Sequence, residues 1–365
     1  MANSISGEQK AHHCPLTMTS AVDGPTYYCE YFGHDVRLLR RLHDGLRSPN
    51  GRACIFLAGD SSLDNKFWFD SEAVAVNGYE QLLQPPRMKQ DVCYWLNAEL
   101  QKRGLGTRYF CLNTAVEATS LNSRACCSLL PQDRLIREQI TPQDTLIVSI
   151  GGNDLALNPV LATIANIVPL LCCTPEVCIE RWACACPPNL HVDTGCCGCG
   201  LPGCLVSPLG WPVGMAYFVD LFKNRVQDYI ERVLGGRRPA QVVVCMYYFL
   251  DMHGRGSWAD GFLAAMCYDC APTRLQAAIK KIFELATSRI RIPGVKVVPF
   301  PLFEALDGAD TRDYVQRVEP SVRGGAKMAC ALVDALFGSS DEEALPSGGA
   351  AAAPTNSSMI GARVW

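Results

Sequence analysis

Five runs of the chain are apolar almost without interruption: ACIFLAG (53–59), TRYFCLN (107–113), TLIVSIGG (145–152), AQVVVCMYYFL (240–250) and VKVVPFPLF (295–303). They are rich in β-branched and aromatic residues, the pattern of strands covered on both faces. Between and around them, apolar residues recur at helical spacing. One such stretch runs from about His34 to Leu46. MKQDVCYWLNAELQKRG (88–104) ends at a glycine C-cap position. GMAYFVDLFKNRVQDYIERVLGG (214–236) ends in Gly-Gly, and PTRLQAAIKKIFELATSRI (272–290) has proline in its first turn. SVRGGAKMACALVDALFG (321–338) closes the patterned part. This alternation predicts an α/β domain with a parallel sheet and helices on both faces. No period of about 20–50 residues marks a repeat architecture.

The pattern divides the chain into a polar leader with a covering helix (1–50), a main domain (51–338) and a Ser/Gly/Ala/Pro-rich tail (339–365) expected to be disordered. Two stretches interrupt the main domain. One is Cys-rich (172–204), and the other is the loop MHGRGSWADGF after the fourth strand. LALNPVLATIANIVPLLCC (155–173) is about long enough to span a bilayer. Its two Asn, two Pro and one Thr predict a buried helix pair and no transmembrane segment. The leader lacks the apolar core of a secretory signal, so a cytoplasmic location is expected. A net charge of −3 leaves no basic footprint for nucleic acid. Nothing in the pattern fixes an oligomeric state.

In an open parallel sheet, ligands bind beyond the carboxyl ends of the strands. The residues following the strands here are Gly59-Asp60-Ser61-Ser62, then NTAVEATS (113–120), then Gly151-Gly152-Asn153-Asp154, then Asp251-Met252-His253. Together they offer a hydroxyl, small residues with free N–H groups, an amide and an imidazole. Acyl transfer needs such a set: a nucleophile and donors aimed at a developing oxyanion. Ser61 is the candidate nucleophile. Its own N–H, an N–H near Ala118 and the Asn153 amide are the candidate donors. Alone, GDS or GGND is a common turn, and Asp or Ser in such a turn is more often a helix cap.

GDSS (59–62), NTAVEATS (113–120) and GGND (151–154) resemble the first three blocks of the SGNH, or GDSL-type, hydrolases. The resemblance covers roughly residues 53 to 338. It implies a three-layer α/β/α sheet of flavodoxin-like type and esterase, lipase or deacetylase chemistry through an acyl-enzyme. It implies Ser61 as nucleophile and Asn153 as oxyanion-hole donor, with Asp60, Gly151 and Gly152 supporting them. The substrate expected is a small-molecule, lipid or carbohydrate ester, and the reaction needs no cofactor.

Two departures stand out. The second block normally carries a glycine whose N–H completes the oxyanion hole. Here Ala118 is the nearest equivalent, or Glu117 in the other register, and the donor survives if the backbone there needs no positive φ. The last block normally carries Asp-x-x-His, and QRVEPSVRGG (316–325) puts Gln316 and Glu319 at those positions.

Three readings follow for the proton. Glu319 is the base, with its ordinary pKa near 4.3 raised by burial and Asp313 orienting it. Alternatively His253 supplies the imidazole, oriented by Asp251 or Asp260. In the third reading the site binds a ligand without turnover; a zinc-dependent interaction module built around the Cys-rich stretch is the further alternative. The other histidines (12, 13, 34, 43 and 191) lie outside the strand-end set.

The chain has 20 cysteines, and nine of them fall in 172–204. In a chain expected to be cytoplasmic, disulfides are not the default. A structural zinc held by Cys184, Cys186, Cys196 and Cys199 is one expectation. A loop of free thiols is the other, because the spacing matches no standard zinc signature. Cys267 and Cys270 form a second C-x-x-C. Trp68, Trp95, Trp182, Trp211 and Trp258 are expected to pack cores or line clefts.

Overall fold

The computed structural model describes residues 21–48, 50–124, 129–156, 161–185 and 209–338. Its centre is a five-stranded, all-parallel sheet. The strands are β1 (Ala53–Gly59), β2 (Tyr109–Asn113), β3 (Thr145–Ser149), β4 (Gln241–Met246) and β5 (Lys296–Pro301). Their spatial order is β2-β1-β3-β4-β5, which is the flavodoxin-like order of a doubly wound sheet. Each strand coincides with one of the apolar runs, trimmed by a few residues at its ends.

Alternation along β1 explains why these runs are apolar throughout. Cys54, Phe56 and Ala58 face one core, and Ile55 and Leu57 face the other. The first core is covered by α1 (Val36–Arg47), α3 (Pro131–Gln139), the long helix α5 (Met215–Val219, Asp220–Arg225 and Val226–Leu234) and α6 (Pro272–Leu285). The second is covered by α2 (Val92–Lys102) and α7 (Val322–Phe337), which pack against each other. The fold is therefore a three-layer α/β/α sandwich.

Several helix boundaries have visible chemical causes. Asp35 caps α1 by accepting from Arg37 N at 2.7 Å, and Asp91 caps α2 through Tyr94 N at 2.7 Å. Ser321 caps α7 through Gly324 N at 3.1 Å. Gly235 ends α5 in the left-handed conformation, φ 55°. Midway, Asp220–Arg225 of α5 has π-helical pairing. The sequence periodicity does not reveal this widening, because a bulge only slides one face past its neighbour.

The leader is less separate than its polarity suggests. Val22–Asp23 pairs with Leu83–Gln84, and Val22 and Tyr27 are buried. Residues 1–20 and the tail 339–365 lie outside the described residues, as does most of the Cys-rich stretch. The 155–173 run forms a short helix, Asn153–Ala156, and α4 (Leu161–Cys172). Among the described residues no single helix is long and apolar enough to cross a membrane; Thr163–Cys172 and Glu176–Trp182 pass together only as a pair bent by 106°.

Candidate active site

Register places the first three strand-end segments side by side. Gly59 of β1 lies opposite Ser149 of β3, and Leu57 lies opposite Asn113 of β2. The chain leaves β1 through Gly59 at φ 139°, where an added Cβ would sit 1.7 Å from Ser149 O. No side chain fits there, so glycine sets the turn that presents Asp60-Ser61-Ser62. Asp60 Oδ1 then accepts from Ser62 N (3.1 Å) and Ser62 Oγ (2.8 Å). Its Oδ2 accepts from the Tyr247 hydroxyl, which in turn accepts from Gly152 N at 2.7 Å. One tyrosine from the end of β4 thus ties the first and third segments together.

The second segment is anchored from three sides. Buried Arg124 donates to Gly59 O (2.8 Å) and Thr119 Oγ1 (2.7 Å), and it pairs with Asp133 of α3 at 3.1 Å. Asp154 accepts from Leu121 N (2.7 Å) and Asn122 N (3.1 Å). Asn153 Nδ2 donates to Thr119 O at 2.9 Å. Asn153 thus lines the cavity at Ser61 and bonds the residue that follows Ala118. Ala118 has φ 55°. The backbone there does need a positive φ, as a glycine would prefer; alanine adopts it at a cost of roughly 1–2 kcal/mol, so its N–H keeps the place a glycine would give it.

The deciding contact spans 258 positions of sequence. Ser61 Oγ donates to Glu319 Oε1 at 3.0 Å, and both residues are buried. Glu319 lies in a small antiparallel hairpin, β6 (Tyr314–Val315) with β7 (Glu319–Pro320). Its turn puts Gln316 (φ 50°) and Arg317 (φ 65°) in the left-handed region. The loop after β4 holds that strained turn in place. Arg317 pairs with Asp260 (2.9 Å) and Asp269 (2.8 Å) and donates to Asp251 O. Gln316 accepts at Trp258 N (3.2 Å) through its side chain and at Ser257 Oγ (2.6 Å) through its carbonyl. The glutamine where the resemblance expects aspartate is thus a clamp on this loop.

Burial, first of all, pushes the Glu319 carboxyl up, and the negative charges of Asp60 and Asp64 push the same way; the Ser61 bond opposes them. A second carboxylate shares this environment. Glu117 accepts from Trp68 Nε1 at 3.0 Å, and its backbone N–H donates to Asp64 Oδ2 at 3.0 Å. Burial and then the charge of Glu319 push it up strongly. Glu117 Oε2 and Glu319 Oε2 are both buried with no hydrogen-bond partner among the described residues. Burial and these two carboxylates also push the nearby Tyr31 phenol up to about 12. Below them, Asp64 forms a fully buried pair with Lys66 at 2.8 Å.

Two expected residues do not join Ser61. His253 is exposed, is absent from the residues lining the cavity at Ser61, and has its backbone N–H on Asp251 Oδ1 at 2.8 Å. Asp251 also accepts from Thr311, Asp260 is engaged by Arg317, and among the described residues no hydrogen bond joins either carboxylate to that imidazole. Asp313 is buried but pairs with Lys327 and, at 3.4 Å, with Arg323 of α7, so it does not orient Glu319. Conversely, sequence reasoning missed Tyr247 and Arg124, and it named Glu117 only for its backbone N–H. For Glu117 a signal existed: it is the one acidic residue in the NTAVEATS segment, held between apolar neighbours.

Of the zinc candidates, Cys186, Cys196 and Cys199 lie outside the described residues, and Cys184 is an exposed free thiol. Among the described residues no group of His, Cys, Asp and Glu is arranged to hold a metal. Cys172 Sγ and Cys267 Sγ approach to 3.5 Å, so the two Cys-bearing loops touch. Trp182 and Trp211 are largely exposed, against expectation, and Trp258 borders the cavity while half-exposed.

No protein-family model and no curated protein matches the chain. Solved structures do. An acetyl xylan esterase from Geobacillus stearothermophilus matches at 11% identity and TM-score 0.39, over 78% of this chain and 94% of that one. A carbohydrate acetylesterase from Sinorhizobium meliloti matches at 14% and 0.36, over 78% and 100%. An extracellular lipase from Streptomyces rimosus matches at 15% and 0.35, over 78% and 98%. Likeness of this degree carries no argument about chemistry, which rests on the geometry of the chain itself.

Proposed function

We propose that the protein is a serine ester hydrolase with an SGNH-like site in which Glu319 replaces the usual histidine. The observation that carries this is the buried Ser61 Oγ to Glu319 Oε1 bond of 3.0 Å at the carboxyl edge of the sheet. An ordinary glutamate is too weak a base at neutral pH. Burial beside Asp60 and Asp64 raises this one toward the range where a general base works.

The steps balance as follows. Ser61 Oγ attacks the ester carbonyl carbon while its proton passes to Glu319. The tetrahedral oxyanion is held by backbone N–H groups at Ser61 and Ala118 and by the Asn153 amide. Asn153 spends one N–H on Thr119 O and has a second to offer. Collapse breaks the carbon–oxygen bond to the alcohol, which leaves with the proton from Glu319. Water then attacks the acyl-enzyme, gives its proton to Glu319, and releases the acid as Ser61 recovers its hydrogen. The charge of Glu319 raises the neighbouring Glu117, which therefore stays protonated while Glu319 works as the base.

The test is labelling of Ser61 by a fluorophosphonate across pH 4 to 9. Ser61→Ala and Glu319→Gln are expected to abolish labelling and His253→Ala to preserve it. A folded wild-type protein that never labels overturns the reading in favour of a ligand-binding site without turnover.

A further inference from the structure

The cavity that begins at Ser61, Asn153 and Glu319 continues into the space between α4, α5 and α6 and is about 120 Å³ in volume. Its polar lining is confined to the serine end. There the Tyr247 hydroxyl is consumed by Asp60 and Gly152, and the Tyr248 hydroxyl donates to Val318 O at 2.7 Å. Beyond them the walls are hydrocarbon and aromatic, among them Leu171, Phe218, Phe222, Met266, Ala278 and Ile282. A sugar pushed into this space would leave hydroxyls without partners, which is costly. An acetyl group would fill only the entrance. A void of about 150 Å³ takes a benzene ring, so this one takes roughly five non-hydrogen atoms.

The wall is built for this shape. The π-helical stretch of α5 includes Phe222, one turn after Phe218, and both reach the cavity. Phe222 lies so close over Gly151 that a Cβ there would come within 2.9 Å of its ring. The glycine beside Asn153 therefore makes room for an apolar wall next to the candidate oxyanion donors. Widened helical turns of this kind occur frequently at functional sites.

We propose that the site takes esters of short straight-chain fatty acids, with the carbonyl at Ser61 and an alkyl chain of roughly five carbons lying between α4, α5 and α6. Turnover of such esters rests on the hydrolase reading above, whereas binding of the chain does not. Each methylene added up to that length is expected to raise kcat/KM about fourfold, from ~0.8 kcal/mol per buried CH2.

Two measurements on the full chain separate the claims. One is kcat/KM of the wild type for p-nitrophenyl esters from acetate to hexadecanoate. The other is calorimetric binding of methyl hexanoate and methyl acetate to Ser61→Ala, with its folding checked by thermal melting. An optimum near hexanoate, with methyl hexanoate bound and methyl acetate not, supports the proposal. Ala278→Phe, which narrows the cavity, is expected to lower the hexanoate-to-acetate ratio at least tenfold. If that variant fails to fold, the wild-type chain-length series still decides. Methyl hexanoate bound without turnover of any ester keeps the chain site and sinks the hydrolase reading. Acetate hydrolysed as well as hexanoate, with no methyl hexanoate bound, overturns the chain site and keeps the hydrolase. Neither binding nor turnover overturns both.

Discussion

Replacing Glu319 by glutamine separates a base from a structural hydrogen-bond partner. The amide oxygen of glutamine can still accept from Ser61 Oγ, so the 3.0 Å contact can survive. What the amide cannot do is take the proton. General-base catalysis contributes about 10²–10⁴-fold, so kcat/KM is expected to fall by that factor, or ~2.7–5.5 kcal/mol of barrier. Stability is expected to move the other way. The folded-state pKa of Glu319 is raised, so the native protein binds a proton that the unfolded chain has already released above about pH 4.3. The stability linked to this group is full below that pH and is lost as pH rises through the raised value. Glutamine has no such loss. The variant should therefore gain on the wild type with rising pH, by about 1.4 kcal/mol for each unit of the shift. Urea unfolding at pH 4.5 and pH 8, paired with ester hydrolysis at pH 8, measures both effects. Hydrolysis within threefold of wild type, or a stability deficit that grows with pH, would refute the reasoning.

Glu117 is raised further than Glu319, by the charge of Glu319 among other causes, and so stays neutral while Glu319 ionises. Glu117→Gln is therefore expected to leave the acid limb of the kcat/KM profile in place; a limb moved to lower pH means that Glu117 is already charged when Glu319 titrates. Ala118→Gly should stabilise the fold by about 1 kcal/mol in urea unfolding, since glycine adopts φ 55° without strain, and a loss of stability would count against strain at that position. His253→Ala should leave esterase kinetics within about threefold, because the imidazole is exposed and away from Ser61; a loss comparable to the base effect of about 10²–10⁴-fold would restore it as the base. Native mass spectrometry of protein purified under reducing, chelator-free conditions decides between the two expectations for the Cys-rich stretch: a bound zinc, or a metal-free mass with free thiols.

The sequence by itself determined the sheet. Its five apolar runs have two-faced burial written into them, and only helices on both sides can cover such strands, so the three layers and the strand-end location of the site followed. It also determined Ser61 and Asn153 as candidates, because each sits immediately after a strand in a turn that glycine dictates. The tertiary structure alone decided who faces Ser61. Glu319 and His253 are both candidates on paper, and spacing along the chain does not say which loop returns to β1. The hairpin β6–β7, held by Arg317 on Asp260 and Asp269, brings Glu319 in and turns Gln316 toward Trp258. The same packing sends Asp313 to Lys327 and leaves His253 outside. The elevated pKa of Glu319 likewise exists only in the assembled fold. Desolvation and the fields of Asp60 and Asp64 arise from groups that the chain brings together from distant positions, and no local pattern encodes them.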